Sequence, residues 1–141
     1  MQTSARNQFA GEVVQLTHGA VNDEVTLRTA EGLEIVAIIT HGSAGTLGLA
    51  AGKRAFALVK ASSIIVMVDV ASNQVSARNC IAGTVSAVTK GAVNSEVTIS
   101  TGSAQIAAIV TNESVERLGL AKGKAASAMF KASSVIVGVE S

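Results

Sequence analysis

The chain reads as a mainly β protein made of two tandem five-stranded barrels, each carrying one short helix. Three observations predict this. The two halves of the 141-residue sequence repeat each other, with about half of the aligned positions identical. Within each half, apolar and β-branched residues alternate with the two-residue period of half-buried strands. One stretch per half, Ser43-Ala44-Gly45-Thr46-Leu47-Gly48-Leu49 and its counterpart, breaks that rhythm.

The repeat is carried by blocks at constant spacing. Ser4-Ala5-Arg6-Asn7 recurs 72 residues later as Ser76-Ala77-Arg78-Asn79, and Gly19-Ala20-Val21-Asn22 recurs at the same offset as Gly91-Ala92-Val93-Asn94. Lys60-Ala61-Ser62-Ser63 returns 71 residues later as Lys131-Ala132-Ser133-Ser134, so the second copy has lost one residue. The loss falls between Thr101 and Ile106, opposite Thr29 to Ile35, where Gly and polar residues signal a turn that tolerates it. Two copies are too few for a solenoid and read as a pair of like domains, 1–70 and 71–141.

In the first copy, strands are expected over 11–17, 24–29, 33–40, 54–59 and 64–68. In Glu24-Val25-Thr26-Leu27-Arg28 the apolar side chains take alternate positions. Ser43 is placed to cap a short helix and Gly52 to end it, with Ser114 and Gly123 doing the same in the second copy. Five short strands with a helix between the third and fourth is the order of an OB-type Greek-key barrel.

Composition excludes several classes. The chain is 48% hydrophobic and 15% charged, yet its longest apolar runs stop far short of the roughly 20 residues of a membrane helix. No apolar stretch follows the N-terminal residues, so no secretory signal is expected and a cytoplasmic location is. Cys80 is the single cysteine, which excludes an intrachain disulfide and a multi-cysteine metal site; a small buried side chain is expected there. Net charge is +1, and Trp and Tyr are absent, so neither the basic groove nor the aromatic platforms of a single-strand nucleic-acid binder are present. Small modules this apolar cover themselves poorly, and oligomerisation is expected.

Comparison of the halves sorts the chemistry. His18 is matched by Lys90 and His41 by Asn112, no Ser–His–acid or Cys–His set recurs, and no phosphate-binding Gly-x-x-x-x-Gly-Lys-Ser/Thr loop is present, so an enzyme is not expected. Retained in register are Arg6/Arg78, Lys53/Lys124 and Lys60/Lys131, the acid pair Glu24/Glu96, and Ser4/Ser76, Thr40/Thr111, Ser43/Ser114, Ser62/Ser133 and Ser63/Ser134. Cations with convergent hydroxyl and backbone donors suit a tetrahedral oxyanion. Simpler readings stand beside this one: Ser43 and Ser114 as helix caps only, Lys53 and Lys124 as solvated charges, Arg6 and Arg78 as ion-pair partners of Glu24 and Glu96.

Taken together, the Ser-Ala-Arg-Asn, Gly-Ala-Val-Asn, Thr-x-x-Ser, Leu-Gly-Leu-x-x-Gly-Lys and Lys-Ala-Ser-Ser blocks resemble the Mop domain, and the tandem arrangement resembles the di-Mop molbindins. The resemblance implies a cytoplasmic protein that binds molybdate, and tungstate with it, for storage and homeostasis. It implies no cofactor and no direct side-chain ligand to a metal, since molybdenum is held as its oxyanion. A homotrimer of six lobes is implied, with anions between subunits and molybdenum-cofactor or molybdoenzyme machinery as recipient; on composition, neither a nucleic-acid nor a membrane partner is expected. By motif, one set of interface donors is Ser4, Arg6, Lys60, Ala61 and Ser62, with Thr40 and Ser43 from a neighbouring module. The second copy supplies Ser76, Arg78, Lys131, Ala132 and Ser133, with Thr111 and Ser114. Axial sites fall at His18, Gly19 and Asn22, and at Lys90, Gly91 and Asn94. The alternative function is a molybdate-sensing module; the first motif begins at Ser4, which leaves no room before it for a helix-turn-helix and favours storage.

Overall fold

The computed structural model describes residues 2–102 and 104–140. It contains ten strands, β1 (Asn7–His18), β2 (Asn22–Thr29), β3 (Glu34–Thr40), β4 (Arg54–Val59), β5 (Ile65–Met67), β6 (Asn79–Lys90), β7 (Asn94–Thr101), β8 (Ala104–Thr111), β9 (Ala125–Phe130) and β10 (Ile136–Gly138). Helix α1 (His41–Leu47) follows β3 and α2 (Asn112–Leu118) follows β8. Single 3₁₀ turns occupy Ala61–Ser63, Ser72–Gln74 and Ala132–Ser134. The expected class is met: two barrel-like domains dominated by strands, with one short helix apiece.

Each barrel is a five-stranded sheet, but neither is built from one sequence repeat alone. The sheets run β10-β4-β1-β2-β3 and β5-β9-β6-β7-β8. Ile136, Val137 and Gly138 pair antiparallel with Leu58, Ala57 and Phe56, so the last strand of the second repeat completes the first barrel. Ile65, Val66 and Met67 pair likewise with Met129, Ala128 and Ser127 of β9. The compact units are therefore 1–59 with 131–141, and 60–130, where the repeat alone divides the chain at residue 70. The repeats exchange their final strands.

The cores follow from the alternation. Val13, Val25, Leu27, Ile35, Ala37 and Val59 are buried in the first unit; Val85, Val97, Ile99, Ile106, Ala108 and Phe130 occupy the matching positions in the second. Both long first strands carry a register irregularity at the same place, between Val13 and Gln15 and between Val85 and Ala87, which lets one strand bend and pair on both halves of its length. Close approach fixes a glycine nearby: a Cβ on Gly11 would lie 2.4 Å from the Arg28 carbonyl oxygen, and one on Gly83 would lie 2.4 Å from that of Ser100. The lost residue falls in a hairpin, where Thr101 and Ala104 are direct partners in β7 and β8. Cys80 is half-buried, not fully enclosed.

The helix boundaries differ from the expected ones. Thr40 and Thr111 are the N-caps, their Oγ1 atoms accepting the Ser43 and Ser114 N–H at 3.1 Å. The helix begins early because the His41 N–H is already held by the Val21 carbonyl at 2.9 Å, which turns the chain directly out of β3. Ser43 and Ser114 thus lie in the first turn. Gly48 and Gly119, at φ 65° and 66°, end the helices in the left-handed region, and Leu49 N–H returns to the Ala44 carbonyl. Gly52 and Gly123 instead shape the turn before β4 and β9, their N–H groups bonding to the carbonyls of Val13 and Val85.

Candidate functional site

Two constellations stand out, and both grow from the ends of strands. The first lies where β3 runs into α1. The hydroxyl of Thr40 donates to Ser43 Oγ at 2.8 Å, and Thr111 does the same to Ser114 at 2.8 Å. In the first unit an open cleft of ≈ 800 Å³ is lined by Asn22, Thr40, Gly42, Ser43, Ser133 and Val135, among other residues. Ser133 belongs to the turn Ala132–Ser134, which packs on β3, while the turn Ala61–Ser63 packs on β8 in the second unit. The strand exchange is what carries a Lys-Ala-Ser-Ser segment of one repeat to the Thr-x-x-Ser segment of the other.

Those turns are poor in internal satisfaction at their start. The bonds run from Ser63 N–H to the Lys60 carbonyl and from Ile64 N–H to that of Ala61, and repeat at Lys131 and Ala132. They do not use the N–H groups of Ala61, Ser62, Ala132 and Ser133, and Ala61 and Ala132 are the positions expected to offer backbone donors. Ala61 and Ala132 are buried, whereas Lys60, Ser62, Lys131 and Ser133 are exposed. Ser4, Arg6, Ser76 and Arg78 are exposed too, set just before β1 and β6, the first strand of each repeat. The buried Asn7 is structural: its side-chain N–H donates to the Val59 carbonyl at 3.2 Å, anchoring the end of β4.

The second constellation lies at the β1–β2 turn. His18 faces Asp23 across the ladder, and His41 reaches the same carboxylate from the start of α1. His18 Nδ1 is 2.9 Å from Asp23 Oδ2, and His41 Nδ1 is 2.9 Å from Oδ1. Gly19 N–H donates to Oδ1 at 3.2 Å. Burial alone would raise the Asp23 carboxyl, but hydrogen bonds from His41, His18 and Gly19, with the charge of His41, outweigh it and hold the carboxyl below the ordinary carboxylate range. In the second repeat the same positions are Lys90, Ser95 and Asn112. Ser95 Oγ lies 2.5 Å from Asn112 Oδ1, and Asn112 Nδ2 donates to the Gly91 carbonyl at 3.0 Å.

Asp23 was missed by comparing the halves, because that filter keeps only what recurs. Its signal was in the alternation: Asp23 has the same parity as Val25 and Leu27 and therefore faces the core. Glu24, by the same alternation, points to the other face. Of the expected axial residues, Gly19, Asn22, Gly91 and Asn94 all lie at these turns, with His18 and Lys90 at the strand ends before them.

The TOBE domain family model matches twice, over residues 3–66 and 75–137, and the chain belongs to this family. The tandem pair expected from the repeated motifs is thereby found. A solved structure of the cytoplasmic molybdate-binding protein ModG, with molybdate bound, superposes with a TM-score of 0.95 at 46% identity, covering 99% of this chain and 100% of that one. The molybdenum transport protein ModE of Herbaspirillum seropedicae is 44% identical over 141 residues, 99% of this chain but 52% of that protein. The DNA-binding transcriptional dual regulator ModE of Escherichia coli (strain K12) is 34% identical over 140 residues, with the same 52% of its length covered. The chain thus spans about half the length of these two curated relatives. None of the three is named as an enzyme.

Proposed function

We propose that this protein binds molybdate, and tungstate with it, as a cytoplasmic storage and buffering protein that works as a homotrimer with oxyanions at its subunit interfaces. The observation that carries the reading is the full-length likeness, at 46% identity, to a molybdate-bound ModG. The donors retained in both repeats fit it. A tetrahedral dianion needs positive charge and several convergent donors, and Arg6, Lys60, Lys131 and Arg78 supply the first while Ser4, Ser62, Ser76, Ser133 and the Thr40–Ser43 and Thr111–Ser114 pairs supply the second. Ala61 and Ala132 contribute through backbone N–H groups. No cofactor is needed for such binding.

Assembly is supported by what one chain leaves uncovered. The cleft at Thr40 is far larger and more open than a tetrahedral anion needs, so a second wall from another copy would close it. Large apolar side chains stay exposed at matching positions in both repeats: Val21 at 73% and Val93 at 71%, Ile65 at 54% and Ile136 at 60%. Recurrent exposed apolar groups fit a buried oligomer interface. Isothermal titration with molybdate, tungstate and sulfate tests the reading; binding of the larger oxyanions over sulfate is expected, and equal affinity for all three would contradict it.

A second reading is a molybdate-sensing module, favoured by the 34% identity to a DNA-binding regulator. That relative also removes the ground for denying any nucleic-acid partner, since the denial rested only on missing aromatics and basic charge. A gel-shift assay with and without molybdate separates the two: a molybdate-dependent shift supports sensing, and none at either condition supports storage.

A further inference from the structure

We infer that His18, Asp23 and His41 form a binding site for one divalent transition-metal cation of the zinc class, present in the first repeat only. The three side chains converge from β1, β2 and the start of α1, and one ligand atom from each lies within 4.8 Å of the others. Among the described residues this is the one group of three or more His, Cys, Asp or Glu so arranged.

The spacing suits the ion. Zinc binds imidazole nitrogen and carboxylate oxygen at about 2.0–2.2 Å, which places neighbouring tetrahedral ligand atoms about 3.3 Å apart. The observed separations from His18 Nδ1 and His41 Nδ1 to the carboxylate oxygens are 2.9, 2.9 and 3.1 Å. A shift of a few tenths of an ångström at these contacts, with the two ring nitrogens drawing together from within 4.8 Å, makes the space as a cation replaces the ring protons. Each neutral imidazole then keeps its proton on Nε2. The rings meet edge to face with centroids 5.2 Å apart, and their side chains are 62% and 57% exposed, so an entering ion meets them from solvent. Two imidazoles and a carboxylate leave a fourth position for water.

The third ligand is held in place before any ion arrives. Asp23 is fully buried and fixed by the Gly19 N–H. Gly19 itself is required by the turn, since a Cβ there would lie 2.3 Å from the Asn22 carbonyl oxygen. The second repeat supplies an internal control. At the same turn Ser95 and Asn112 satisfy each other and the Gly91 carbonyl with neutral groups, leaving no carboxylate and no imidazole.

The test uses the full chain, stripped with a chelator and titrated with Zn²⁺ by calorimetry and with Co²⁺ by visible absorption. One ion per chain is expected, with Co²⁺ giving the intensified bands of a low-coordinate nitrogen–oxygen site. His41→Asn and His18→Lys install the residues that the second repeat already carries, so the fold is retained; each should weaken binding by at least about tenfold, since losing even a supporting partner costs that much. Cys80→Ser should bind as the parent does. Zn²⁺ bound with unchanged affinity by both histidine variants, or no stoichiometric binding by the parent, would overturn the site. Neither result bears on the oxyanion donors retained in both repeats, which are read separately; the expected axial turn shares His18 with this site, so molybdate binding is measured on the same variants.

Discussion

Ile136 lies directly opposite Leu58, so a strand from the end of the chain completes a barrel begun at its start. The consequence is that β4 is an inner strand of its sheet only while β10 is in place. Truncation after Phe130 should turn β4 into an edge, with faster amide hydrogen exchange over Arg54–Val59 and a lower thermal midpoint. Unchanged protection of β4 in the truncated chain would show that β10 adds nothing to the sheet.

The close approach at Gly11 and Gly83 makes a second, paired expectation. Gly11→Ala and Gly83→Ala each force a Cβ onto a backbone carbonyl, an overpacking cost of about 1–3 kcal/mol. Chemical denaturation of the two variants measures it. A loss below about 0.5 kcal/mol at both positions would mean that the strand crossing is looser than its geometry states.

Thr40 serves both the helix and the candidate cleft, and the two roles separate by substitution. Thr40→Ser keeps the oxygen that accepts the Ser43 N–H, whereas Thr40→Ala removes it and should cost about 1 kcal/mol of stability. Oxyanion affinity should fall with Thr40→Ala and hold with Thr40→Ser. Equal stability of the parent and the alanine variant by urea titration would deny the cap.

Asp23 sets an acid limit for the chelator-treated protein. Its folded carboxyl titrates below the ordinary value near 4, so folding favours the ionised form. That contribution is fully present above the unfolded value and is lost as pH falls through the lowered folded one. The stability difference between the parent and Asp23→Asn should therefore be present at about pH 5 and shrink on acidification. A difference that grows as pH falls through this window would reverse the sign.

Much of the fold was legible because alternation and repetition are local signals. The span of β4 was read to the residue from the run Arg54 to Val59, and the other strands of the first repeat to within a few residues. The helix was found but its caps were misplaced by three to four residues, since Ser43 is in isolation a better cap than Thr40 and the deciding bond, His41 N–H to the Val21 carbonyl, is tertiary. The strand exchange was not legible. Ile64 to Val68 and Val135 to Val139 are nearly the same sequence, so nothing local says which barrel each will join. The retained donors were legible as a set. The exchange puts Ser133 in one cleft with Thr40 and Ser43 within a single chain, a proximity that the motifs, which take Thr40 and Ser43 from a neighbouring module, do not address.

The most direct measurement of the central claim is native mass spectrometry of the full chain with molybdate, comparing the parent with Lys60→Ala/Lys131→Ala. A trimer carrying several molybdate ions is expected for the parent, with fewer bound and weaker affinity in the double variant. A parent that binds no molybdate, or a double variant with the same anion count and affinity, would contradict it.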